Sequence, residues 1–141
     1  MIASLQSHSA ATPTKIKAYY QNMTGLNGKS QWVLPLTSLA TYDLIFFTET
    51  WLCDGFHDSE IISLEHYYTY RNDRSPQSSS KSIGGGVMIA AKSGLRPTRL
   101  PHFERPDLEM VWVCLELVTP IYVCCIYLPN ALYELRKISS R

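Results

Sequence analysis

A chain of 141 residues with 45% hydrophobic and 18% charged side chains has room for one domain with a real core, and its composition excludes intrinsic disorder. The net charge of +1 excludes a strongly polycationic or polyanionic protein. The charge is uneven, however: residues 71–105 hold Arg71, Arg74, Lys81, Lys92, Arg96, Arg99 and Arg105 against Asp73 and Glu104. Such a stretch suits phosphate neutralisation or a solvated, solubilising face, and charge alone does not separate the two. The longest apolar run, 111–128, is interrupted by Glu116, Thr119 and Pro120, so neither a spanning helix nor a membrane partner is expected.

Residues 1–14 lack a basic segment followed by an apolar one. They read as a flexible lead-in rather than a signal peptide. Residues 15–21 (KIKAYYQ) predict a strand ending at Asn22, followed by a turn at Thr24-Gly25-Leu26-Asn27-Gly28. Over 30–40, Trp32, Val33, Leu36, Leu39 and Ala40 recur at three- and four-residue steps, the spacing of one helix face. Pro35 predicts a kink there or a later start. Residues 42–48 (YDLIFFT) are apolar almost throughout, as in a strand buried on both faces, and Glu49 follows directly.

Residues 61–72 predict an aromatic strand, and 73–82 a serine-rich loop. The Gly84-Gly85-Gly86 triplet leads into a buried strand over 87–91. It suits close backbone approach better than a phosphate cradle, because no helix with Lys-Ser/Thr follows. Residues 95–100, 109–117 and 121–128 predict further strands, with Thr119-Pro120 as a hairpin connection. About seven strands with one helix imply an α+β layered sandwich rather than regular βαβ alternation. Cys53, Cys114, Cys124 and Cys125 form no C-x-x-C and read as free thiols of a reducing compartment.

The chemistry-bearing strings sit at strand ends. Glu49 offers a carboxylate at the mouth of one apolar strand and Asn22 a carboxamide at the mouth of its neighbour. Tyr127-Leu128-Pro129-Asn130 closes a later one. Oxygen donors of this kind suit Mg²⁺, which one or two carboxylates plus substrate phosphate can hold. A solvated strand-end Glu49, a turn-forming Asn22 and a core-packing Tyr127 are the alternatives. Trp51 reads as a packing residue, and Arg71, Asp73 and Arg74 as a surface ion-pair cluster if they do not meet substrate.

Four strings in order carry a resemblance: Tyr20-Gln21-Asn22 with Gly25-Leu26; 43–52, DLIFFTETWL; Tyr70-Arg71-Asn72-Asp73-Arg74 with Gly84-Gly85-Gly86-Val87; and Ile126-Tyr127-Leu128-Pro129-Asn130. The chain resembles the N-terminal part of the endonuclease/exonuclease/phosphatase superfamily, and within it the apurinic-type endonuclease of non-LTR (LINE-type) retrotransposons. The resemblance covers residues 15–130. It implies two packed sheets flanked by helices, a four-layer α/β/β/α sandwich that is incomplete in this chain, spanning 15–141.

It also implies Mg²⁺-dependent (or Mn²⁺-dependent) hydrolysis of a phosphodiester. Glu49 would be the metal ligand and Asn22 would help to orient the metal, a water or a phosphate. Tyr127 would contact the scissile phosphate, and Arg71, Arg74 and Asn130 would bind substrate. The implied partners are DNA and a downstream reverse transcriptase domain, and the implied location is intracellular, nuclear when target DNA is nicked. The family draws an Asp–Asn pair and a terminal Asp-His from beyond the Tyr127 string. Here only Glu134 follows among acids and no histidine does. The 141-residue chain alone is therefore expected to be inactive and poorly soluble. A phosphatase or phospholipid phosphodiesterase of the same superfamily, and a non-catalytic remnant that binds nucleic acid or protein, stay open.

Overall fold

The computed structural model describes residues 15–129. Seven strands and one α-helix are present among them: β1 (Ala18–Asn22), α1 (Ser30–Ser38), β2 (Leu44–Thr48), β3 (Tyr67–Asn72), β4 (Val87–Lys92), β5 (Pro97–Arg99), β6 (Glu109–Leu115) and β7 (Ile121–Tyr127). They form a four-stranded sheet of order β1-β2-β4-β3 and a three-stranded sheet of order β5-β6-β7. This is the α+β, two-sheet sandwich that the strand count predicts.

The alternation of side chains along each strand decides which layer each residue joins. In β2 and β4, Ile45, Phe47, Met88 and Ala90 face outward, where Val33 of α1 and the loop residues Met23, Leu26, Ile61 and Ile62 cover them. Leu44, Val87, Ile89 and Ala91 face the other way and pack on Val111, Val113, Leu115 and Cys125 of the second sheet. Both central strands are covered on both faces, which explains their unbroken apolar sequences.

Three expectations need correction. The aromatic strand begins at Tyr67 rather than 61, because Ile61 and Ile62 enter the core from a loop behind a single 3₁₀ turn, Asp58–Glu60. Helix α1 starts before Pro35 and runs through it, with Pro35 on the exposed side where the ring meets solvent. The segment 95–100 contributes only Pro97–Arg99 to the sheet, since a 3₁₀ turn, Ser93–Leu95, takes its start. The four cysteines are free thiols, with Cys114 and Cys125 buried, Cys124 half-buried and Cys53 exposed. Asn130 and the segment 131–141 lie outside the described residues.

The sheet register gathers the strand ends. Asn22 pairs with Thr48, Thr48 with Val87 and Val87 with Asn72, so one row crosses the whole four-stranded sheet. One residue beyond that row lie Glu49, Gly86 and Asp73. In the second sheet Glu109 pairs with Tyr127. The Asn72 amide ties the two edges together by donating to the Met110 carbonyl at 3.0 Å.

Candidate active site at the strand ends

The chain leaves β2 through two left-handed residues, Glu49 at φ +54° and Trp51 at φ +56°. Such angles are uncommon for side chains of this size and persist only where the surroundings hold them. Here four backbone hydrogen bonds do so. Thr50 and Trp51 donate to the carbonyls of Gly86 and Gly85 at 3.3 and 2.9 Å, and Gly25 and Leu26 donate to those of Glu49 and Thr50 at 2.8 Å each. The glycine triplet is the complement of this hairpin of loops. A Cβ on Gly86 would lie 2.5 Å from the Thr50 hydroxyl, so the triplet serves close approach.

Glu49 and Trp51 point the same way, and the indole Nε1–H donates to Glu49 Oε2 at 2.5 Å. Burial pushes the Glu49 carboxyl up. Hydrogen bonds from the Trp51 indole, the Tyr127 hydroxyl and the Gly85 N–H, with the charge of Arg74, outweigh it and hold the pKa below the usual glutamate value. Glu49 is therefore a stable anion. The hydrogen bond to Glu49, with burial, pushes the Tyr127 hydroxyl up to about 12, so at neutral pH it keeps its proton and acts as a donor. Glu49, Trp51, Tyr127, Arg74, Lys81 and Gly84 line a cleft of about 260 Å³.

Behind this cleft lies a residue that sequence reasoning missed. Glu109, 4% exposed, accepts from Arg74 Nε at 2.6 Å, from the Gly86 N–H at 3.0 Å and from the Ser78 hydroxyl at 3.3 Å. Arg74 in turn donates to the Ile83 carbonyl at 2.8 Å. Its guanidinium thus stands between a buried carboxylate and Glu49, and the pair holds the glycine loop at both ends, Arg74 at the Ile83 carbonyl and Glu109 at the Gly86 N–H. The available signal was an acid abutting the apolar run 110–115, the mirror image of Glu49 after 44–48.

Asn22 ends β1 beside this site, but its amide oxygen accepts from the Thr24 N–H at 3.1 Å and the Thr24 hydroxyl at 3.3 Å. It caps the turn as an Asx residue does. Arg71 is paired with Asp58 at 2.9 Å and Asp73 at 3.3 Å and lines an adjoining groove with Asp54, Asp73 and Arg74. The basic stretch is largely neutralised. Arg71, Arg74, Lys92, Arg99 and Arg105 all engage carboxylates, which leaves Lys81 as the cleft's cation outside an ion pair among the described residues.

Among the described residues no group of three or more His, Cys, Asp or Glu is arranged to hold a metal ion. The donor set still fits a hard cation that stays mostly hydrated: Glu49 is ionised and faces the cleft, and one carboxylate with phosphate oxygens suffices for Mg²⁺.

No family model matches the sequence, and no curated protein matches it. The fold is similar to that in a crystal structure of D. rerio TDP2 complexed with single strand DNA product, with a TM-score of 0.50 and 12% identity. The match covers 89% of this chain and 54% of that one, so this chain spans about half the length of its structural neighbour. At that identity the likeness establishes the fold alone, a two-sheet α+β sandwich.

Proposed function

We propose that this cleft is the metal-ligand side of a phosphodiesterase site acting on DNA, in the manner of the target-nicking endonucleases of non-LTR retrotransposons. The observation that carries it is a carboxylate that faces the cleft at the edge where both sheets end, bonded by the Trp51 indole and lining the cleft with Tyr127. Glu49 would hold Mg²⁺ or Mn²⁺, with the Asn22 carboxamide as a neighbouring oxygen donor if it turns from Thr24. A bound Mg²⁺ supplies charge to a phosphate oxygen and lowers the pKa of a coordinated water. Tyr127, protonated at neutral pH, would donate to a non-bridging phosphate oxygen once its hydroxyl turns from Glu49. Arg74 and Lys81 add positive potential along the cleft wall. The described residues thus supply ligand and phosphate-binding groups.

The test uses the product of the complete reading frame. Glu49→Gln removes a ligand charge at nearly constant volume and should abolish most Mg²⁺-dependent nicking of supercoiled plasmid while the thermal transition survives. Nicking that continues at the wild-type rate would remove Glu49 from the site. Acting on target DNA, the protein would work in the nucleus with a reverse transcriptase domain in the same polyprotein. Coding sequence beyond the Arg141 codon decides that point.

A second reading, a nucleic-acid-binding remnant without catalysis, draws on Glu49 being the one carboxylate that lines the cleft among the described residues. DNA binding with no nicking at saturating Mg²⁺ would establish it instead.

A further inference from the structure

Trp51 does not behave as a packing residue. It remains 41% exposed, although burial of a large apolar side chain is worth ~1.5–3 kcal/mol. It is nevertheless fixed at two points. One face of the indole lies on Gly25, where an added Cβ would come within 2.9 Å of Trp51 Cε3, and its Nε1–H is bound to Glu49. Gly25 itself sits at φ +89°, so the position is closed to a side chain on both steric and conformational grounds. The left-handed backbone at Trp51 is the third constraint. A strained, doubly anchored and solvent-facing indole beside an ionised carboxylate is a rigid platform aimed at the cleft.

We propose that the open surface of Trp51 stacks an unpaired nucleobase next to the phosphate held at Glu49. The inference rests on the phosphodiesterase reading of the cleft and deepens it by naming the substrate class: a strand with a free, frayed or extruded nucleotide. Three observations select that ligand. The aromatic face offers stacking, which every base accepts irrespective of sequence. The cleft's cation outside an ion pair among the described residues, Lys81, suits a single phosphodiester, since Arg74 is buried and already paired with Glu109. The volume of about 260 Å³ is on the scale of one small ligand. A base inside a duplex has both faces stacked already, so it must leave the helix to reach the indole.

The platform is tested by binding without catalysis, in EDTA, with labelled oligothymidylate and its duplex with oligoadenylate. Trp51→Leu should weaken oligothymidylate binding about tenfold, within the range of one base–aromatic stack, and leave duplex binding unchanged. Trp51→Phe keeps a π-face and should retain most of the single-strand affinity, while its nicking falls because Glu49 loses the indole donor. Equal single-strand affinity in wild type and Trp51→Leu, or equal loss on both probes, would overturn the proposal.

The chain has three tryptophans, Trp32, Trp51 and Trp112. If Trp51→Leu fails to fold, the Trp32→Phe/Trp112→Phe protein leaves Trp51 as the sole tryptophan, read by selective indole excitation. Quenching by oligothymidylate supports the stack, and its absence refutes it. Failure of the phosphodiesterase reading shows separately, as nicking unaffected by Glu49→Gln in Mg²⁺.

Discussion

Replacing Gly85 by alanine should be among the most damaging single-methyl changes in this domain. Gly85 sits at φ +67°, and a Cβ there would collide with Glu109 Oε2 and lie 2.5 Å from Arg74 Nε and Nη2. Neither neighbour can swing into solvent. They form a 2.6 Å ion pair with side chains 8% and 3% exposed, and Glu109 also holds the Gly86 N–H. A left-handed alanine costs ~1–2 kcal/mol by itself, and breaking a buried ion pair costs ~3–5 kcal/mol. The sum, about 4–7 kcal/mol, is a large part of the ~5–15 kcal/mol that a domain has.

Gly28→Ala is the control. Gly28 has φ +81° but nothing within 4 Å of its Cβ position, so only the backbone term of ~1–2 kcal/mol applies. Urea unfolding followed by circular dichroism should place Gly85→Ala several kcal/mol below Gly28→Ala, with equal m-values. Equal losses in the two variants would show that the Arg74–Glu109 clamp yields freely, and the reasoning about the buried pair would fail.

Glu109→Gln should lower stability by ~3–5 kcal/mol, because Arg74 is left buried with a neutral partner; a thermal transition within a degree of wild type would contradict it. Tyr127→Phe and Asn22→Ala should each slow nicking less than Glu49→Gln, since each loses a hydrogen-bonding group rather than the ligand charge; initial nicking rates at matched Mg²⁺ rank them. Glu49 is held below the ordinary value of 4.5, so its ionised form stabilises the fold above that pH, and the contribution disappears as pH falls through the lowered value. The difference in melting temperature between wild type and Glu49→Gln should therefore vanish in acid. Asp73 is raised above its ordinary 3.8, by burial first and by Asp54 and Asp58, against the pull of Arg71, and its Oδ1 is buried without a partner among the described residues. Its contribution is thus full below 3.8 and lost as pH rises through the raised value, so Asp73→Asn should raise the melting temperature near neutrality and not in acid.

The strands legible in the sequence are those whose burial is symmetric. Residues 44–48 and 87–92 are covered on both faces, and nothing but an unbroken apolar string can satisfy such a site. Asn22 and Glu49 were legible as strand-end polar residues for the same reason, since the apolar run defines where its own mouth lies. Ile61 and Ile62 misled, because an apolar pair can enter a core from a loop as well as from a strand. Composition makes residues 71–105 basic, but the partners that neutralise most of those cations come from the fold.

What remained hidden was everything set by distance between segments far apart in the chain. Glu109 lies 35 residues from Arg74, and no local pattern pairs them. The glycine triplet announced a close approach, but only packing shows that the approaching group is that ion pair. The two left-handed residues flanking Thr50 are likewise invisible in composition, because hydrogen bonds from the 24–26 turn and the 84–86 loop impose them. Periodicity reports which side of an element is wet. Which charges meet across the edge of two sheets, and therefore which carboxylate stays free to act, depends on register and packing.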